Sequence, residues 1–192
     1  MKYNSEKHHR HSFRFPDYDY GSAGCYFVTI CIFNCVNLLG NINSGKMVLN
    51  EAGKMVEKWY LKIENKFDEI KCLEYIIMPN HIHFILENKG PELKDAAKNL
   101  ETKDCSDILN KEWNEIWKPG ISLSKIVQWF KTMTTNEYIR NVKDNEWKKF
   151  DKRFWHRNYY EHIIRNENSL EKIYYYIQSN PSNWEKDKYF QE

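Results

Sequence analysis

Two histidines, His81 and His83 in MPNHIHFI, lie in an apolar run that reads as a β-strand. Side chains at i and i+2 of a strand leave the same face, so the two imidazoles project together and make half of a metal site. HxH alone also describes a structural pair, and the metal reading needs a third ligand and a nucleophile. The segment SLEKIYYYIQSNP offers both. At about 100° per residue, Leu170, Ile173, Tyr174 and Ile177 fall in one arc, the buried stripe of a helix, and Tyr175 lands in solvent. Tyr176 and Asn180, four apart, sit one above the other on the edge of that stripe, where a side chain can leave the core and enter a cleft. Asn180 precedes Pro181, which biases it away from α geometry and places it at the helix end. Its amide oxygen would complete the metal shell. The competing reading makes Tyr174–Tyr176 an amphipathic packing run.

Cations and aromatics interleave before that helix. From Tyr138 to Arg165 there are eight Lys or Arg against four Asp or Glu, among Trp147, Phe150, Phe154, Trp155, Tyr159 and Tyr160. Cations track phosphates and aromatic faces accept unstacked bases, a mixture suited to single-stranded nucleic acid; the alternative puts the aromatics in the core. Arg14, Lys131, Arg153, Arg157 and Arg165 are the candidate DNA contacts, with a solvated lysine the equal alternative at Lys131. His162, on an apolar strand, either orients site groups or is a satisfied structural histidine. The arm KHHRHSFR lacks cysteines or a second cluster for zinc and reads as a basic arm that tracks DNA.

The elements that must position these groups follow from periodicity. Cys25–Phe33 is β-branched and aromatic and predicts a buried strand. Asn50–Lys66 has helical spacing with Asn50 as its cap. Cys72–Met78 and His81–Leu86 predict antiparallel strands joined at Pro79 and Asn80. Ser122–Arg140 predicts a second helix, Tyr159–Arg165 a strand, and Ser169–Ser179 a last helix opened by Asn168 and closed by Pro181. The order β-α-β-β-α-β-α implies an α+β fold, an antiparallel sheet of ferredoxin-like type with packed helices.

At 192 residues the chain reads as one domain, with a basic arm over residues 1–16 and a surface insertion over about 87–120, where six basic face eight acidic residues. Hydrophobic residues make up 41% and charged residues 29%, a globular composition with no apolar run of membrane length. The five cysteines lack CxxC spacing and read as reduced thiols, and the charged N-terminus carries no export signal, so the expected location is the cytoplasm.

MPNHIHFI together with WHRNYYEHIIRNENSLEKIYYYIQSNPSNW resembles the single-tyrosine HUH transposases of insertion sequences, most closely the REP-associated tyrosine transposases. YDYGSAGCYFVTI, LNEAGKMVEKWY and LSKIVQWFKTMTTNEYI resemble the same family, and the similarity runs from about Arg14 to Asp187. The resemblance implies Mg²⁺ or Mn²⁺ on His81 and His83, Tyr176 as nucleophile and Asn180 as third ligand. Mobile relatives often carry Gln at that position, so Asn fits the REP-associated branch. The family's WQR stands here as Trp155, His156 and Arg157. The implied activity is a metal-dependent single-strand endonuclease and strand-transferase on hairpin DNA, passing through a 5′-phosphotyrosine link. A tyrosine with pKa about 10 needs the metal's help at the phosphate. The alternatives are a non-catalytic protein binding palindromic repeats and a nuclease that uses water. Homodimer and monomer both stay open.

Overall fold

In the computed structural model, which describes residues 20–90 and 120–191, the first strand is β1 (Gly24–Cys31). It stops short of Phe33 because the chain turns at Asn34 and Cys35, which take φ of 57° and 50°. β1 is a central strand of a four-stranded antiparallel sheet ordered β4-β5-β1-β6, with β4 at Ile70–Met78, β5 at His81–Asn88 and β6 at Tyr160–Ile164. This is the ferredoxin-like arrangement that the element order implied.

The period of two sorts each strand between two faces. Tyr26, Val28 and Ile30 of β1 pair in register with Leu86, Phe84 and Ile82 of β5, and all six are buried in the main core. α1 (Glu51–Leu61) and α3 (Leu123–Asp144) cover this face, α1 through Ala52, Met55, Val56, Trp59 and Tyr60, α3 through Leu123, Ile126, Val127, Phe130 and Tyr138. The opposite face carries Phe27 and Ile85, against which Ile177, Leu170, Ile173 and Tyr174 of α4 (Glu167–Ser179) pack. The stripe read from helical spacing is the one α4 buries, and Tyr175 is 74% exposed.

Several boundaries differ from expectation. Asn50 does cap α1, accepting from the Gly53 amide at 2.9 Å, but the helix breaks at Lys62 and a single turn, α2 (Ile63–Lys66), follows. α4 begins two residues early because the cap is Asn166, whose Oδ1 accepts from the Ser169 amide at 2.9 Å, and not Asn168. β5 runs on to Asn88, so Glu87 and Asn88 belong to the sheet; residues 91–119 of the expected insertion lie outside the described residues, as do the arm and Arg14. A two-stranded hairpin, β2 (Gly40–Asn43) and β3 (Lys46–Leu49), was not anticipated: its strands are four residues each, and Ser44 and Gly45 turn it with positive φ.

The aromatics between Tyr138 and Arg165 mostly serve the core. Tyr138, Phe154 and Trp155 are buried, and Trp147, Phe150 and Tyr159 pack against them. Of that group only Tyr160 is exposed, at 53%, with the Lys188 ammonium 4.9 Å from its ring centre. The described cysteines, Cys25, Cys31, Cys35 and Cys72, are free thiols. No helix among the described residues is long and apolar enough to cross a membrane.

Candidate metal and nucleophile site

His81 and His83 open β5 on the face that α4 covers, and both are buried. Their Nε2 atoms lie 3.0 Å apart. Each ring is held by its other nitrogen. Asn80 donates from Nδ2 to the carbonyls of Cys35 and Tyr189, 2.8 Å each, which turns its Oδ1 toward His81 Nδ1 at 2.9 Å. That oxygen can only accept, so the His81 proton sits on Nδ1 and Nε2 keeps a free lone pair. Thr29, opposite His83 in register, bonds its Nδ1 at 2.7 Å. Burial pushes His81 down to about 3 and His83 well below its usual range, with the Lys188 ammonium adding to both. Both imidazoles are therefore neutral near pH 7.

Tyr176 brings its hydroxyl to 3.3 Å from His83 Nε2, with its ring edge-on to Phe27 and His83. The side chain is 40% exposed, so Tyr176 stands at the rim of the site and not within its buried interior. Burial and the nearby Asp187 carboxylate push the phenol above its ordinary pKa, so it is protonated near neutrality.

Asn180 is 4% exposed and reaches the same place by a different backbone than Pro181 suggested. It takes φ −56° and ψ −45°, right-handed helical, because Pro181 begins a 3-10 turn (Pro181–Lys186), where proline's fixed φ and missing N–H cost little. The helical path keeps Asn180 one turn beyond Tyr176. Its Nδ2 donates to Asp187 at 3.4 Å, while its Oδ1 is buried without a hydrogen-bond partner among the described residues.

Asp187 was not foreseen. Its carboxylate joins His81 and His83 in a group whose ligand atoms all lie within 4.8 Å of one another. Asp187 Oδ1 accepts from the Tyr189 amide at 2.7 Å, and Tyr189, itself buried, lays its ring 4.8 Å from that of His81. The donor set suits a divalent cation. Two ligands at adjacent corners of an octahedron with bonds of about 2.1 Å stand about 3.0 Å apart, the spacing of the two Nε2 atoms. A buried amide oxygen with no partner is costly unless something binds it, and one carboxylate supplies the hard oxygen that Mg²⁺ and Mn²⁺ favour.

The remaining candidates are dispersed. Lys131 points its ammonium at the carbonyls of His156, Arg157 and Asn158, at 3.0, 3.4 and 3.1 Å, so its donors hold that loop. Arg153 stacks over Phe33, 4.9 Å from the ring centre, and Arg157 and Arg165 are exposed. His162 stands exposed on β6 opposite Phe27 and makes no hydrogen bond to the site among the described residues; Asn80 and Thr29 fill the orienting role expected of it. Asn80 was adjacent to the motif and readable as a partner. Thr29 and Asp187 carried no signal, since strand pairing and a turn after the last helix bring them in.

Similarity to other proteins points the same way. The family described as Transposase IS200 like matches residues 115–180, a span that includes Tyr176 and Asn180 but not the histidines. An uncharacterized protein of Haemophilus influenzae is 38% identical over 191 residues, covering 98% of this chain and 97% of its own length. The structure of a REP-associated tyrosine transposase bound to a REP hairpin superposes with a TM-score of 0.56 at 18% identity, over 92% of this chain and 77% of the other, a likeness of fold. Residues 115–180 thus resemble the IS200-like transposase family, and the fold of the chain is that of a REP-associated tyrosine transposase.

Proposed function

We propose that the chain is a metal-dependent single-strand DNA endonuclease and strand-transferase acting on hairpin DNA, with Tyr176 as nucleophile. The observation that carries this reading is the Tyr176 hydroxyl 3.3 Å from one of two neutral, buried histidines. The solved relative of the same fold is bound to a REP hairpin, which supports hairpin DNA as the partner. His81, His83, Asn180 and Asp187 would hold Mg²⁺ or Mn²⁺, which when bound supplies Lewis-acid polarisation of the scissile phosphate.

Asn80 and Thr29 hold the two rings at their Nδ1 atoms, which fixes where both Nε2 atoms point. Phe27 and His83 fix the plane of Tyr176, and its position at the edge of the buried stripe lets a phosphate approach from solvent. In the transfer step the Tyr176 oxygen bonds phosphorus as the bond from phosphorus to the 3′ oxygen breaks. The phenol proton is lost and the departing 3′ oxygen gains one, giving a 5′-phosphotyrosine link and a free 3′-OH. The link conserves the phosphodiester's energy, so another 3′-OH can reverse the step and rejoin strands without ATP. Arg153, Arg157 and Arg165 are the cations proposed to follow the backbone of the DNA.

The test is a denaturing gel of the protein with labelled hairpin single-strand DNA, with Mn²⁺ or EDTA, beside Tyr176→Phe and His83→Ala. A covalent adduct that needs Mn²⁺ and is lost in both variants is expected. Metal-dependent cutting that survives Tyr176→Phe would show water as the nucleophile, and binding without cutting would show a non-catalytic DNA-binding protein.

A further inference from the structure

The β2-β3 hairpin lies outside the four-stranded sheet, yet it walls a cleft beside the site. Its turn reaches the 3-10 segment after α4: a Cβ placed on Gly45 would sit 3.6 Å from the Ser182 Cα. Between hairpin and segment is a cavity of about 460 Å³ lined by Asn37, Asn41, Asn183, Trp184, Phe190 and Pro79 among others. The Trp184 and Phe190 rings meet edge-to-face at 5.4 Å, and the Trp184 ring lies 6.0 Å from that of His81. The cavity and the histidine pair thus share a wall.

Its chemistry is that of a flat, neutral ligand with hydrogen-bonding edges. One cation and one anion border it, Lys186 and Glu185, so it has no net charge with which to hold a phosphate. The amides of Asn37 and Asn41 make no hydrogen bond among the described residues, and Asn183 spends its Nδ2 on the Ser179 carbonyl, leaving Oδ1 to accept. An amide offers a donor and an acceptor side by side, the complement of a base edge, and the partly exposed rings of Phe190 and Pro181 offer apolar faces for an unstacked base. The volume falls within the range of small-ligand pockets, about 300–1,000 Å³.

We propose that this cleft takes one unpaired nucleobase next to the scissile phosphate and reads its edge through Asn37 and Asn41. The proposal rests on the strand-transferase reading for its substrate, and it gives that reaction a sequence preference made by the protein on the open strand.

The test incubates the full chain, as wild type and as the Asn37→Ala/Asn41→Ala variant, with a random single-stranded DNA pool. DNA retained without metal and DNA covalently attached in Mn²⁺ are sequenced separately. Both side chains are exposed surface groups, so the variant's melting temperature should move by less than about 2 °C. Wild type is expected to enrich one base about tenfold at a fixed position beside the attachment point or within the retained motif, falling to within about twofold of the pool in the variant. Equal enrichment in both proteins, or no positional preference in wild type, overturns the proposal. A preference in the retained fraction that depends on the two asparagines, with no adduct in Mn²⁺, supports the base pocket and refutes the transferase; adducts whose preference ignores the asparagines do the reverse.

Discussion

Removing Asn80 tests whether the ring geometry of the histidine pair is imposed from outside the pair. Asn80→Ala deletes three hydrogen bonds at a residue with no exposed surface: two donated to the Cys35 and Tyr189 carbonyls and one accepted from His81 Nδ1. At about 1 kcal/mol net per bond the loss is about 3 kcal/mol. For a chain of this length that lowers the melting temperature by roughly 6–12 °C, measured without metal. The effect on the cation is separate. Without Asn80 Oδ1, the His81 imidazole is free to change tautomer and tilt, and losing such an orienting partner typically weakens metal binding by about 10- to 100-fold. Mn²⁺ titrated into the folded variant at low temperature, followed by the disappearance of the free-ion EPR signal, reads affinity without reference to activity. A folded Asn80→Ala protein that binds Mn²⁺ within about twofold of wild type, against the 10-fold minimum, would refute the argument that Asn80 sets the lone pair of His81.

Three further outcomes follow from the same geometry. Asp187→Asn keeps the shape but removes the one charged group of the proposed metal shell, and should weaken Mn²⁺ binding by about tenfold or more in the same titration; unchanged affinity would leave the shell to the histidines and Asn180. Gly53→Ala places a Cβ 2.2 Å from the Leu39 carbonyl, with α1 pinned there by its Asn50 cap, and should cost about 1–3 kcal/mol in a urea melt, although alanine is ordinarily the better helix residue. Burial pushes Lys131 down to about 8, below the roughly 10.4 of an unfolded lysine, so between those values the unfolded chain holds a proton that the folded chain has released. Stability from this group therefore rises with pH across that window and is lowest below it. The stability of wild type minus that of Lys131→Met, from denaturant melts at pH 7.5 and 9.5, should shift toward wild type at the higher pH; a shift in the opposite direction would show that the three carbonyls keep the ammonium charged.

Much of this site was legible because two local periodicities carry it. His81 and His83 share a face through the period of two, and Tyr176 and Asn180 share one through the helical repeat, so each pair is defined within a few residues of chain. The buried stripe of α4 was readable for the same reason, and with it the exposure of Tyr175. Pro181 misled at one residue: the rule for positions before proline describes the average chain, whereas Asn180 continues into a 3-10 turn that accepts proline at its start. The basic and aromatic stretch before α4 combined two signals that the fold separates, since its aromatics fill the core and its arginines stay outside.

What the sequence determined by itself is therefore the two half-sites and the order of elements that carries them. Only the tertiary structure brings the halves together, because the pairing of β5 with β1 and the docking of α4 on that sheet are long-range contacts with no local periodicity. The same docking decides what surrounds the histidines. Thr29 faces His83 through strand register, and Asp187 and Tyr189 return over the pair only once the chain has turned after Pro181. The burial that keeps both imidazoles neutral arises from that closure, since desolvation belongs to the assembled site and not to either motif.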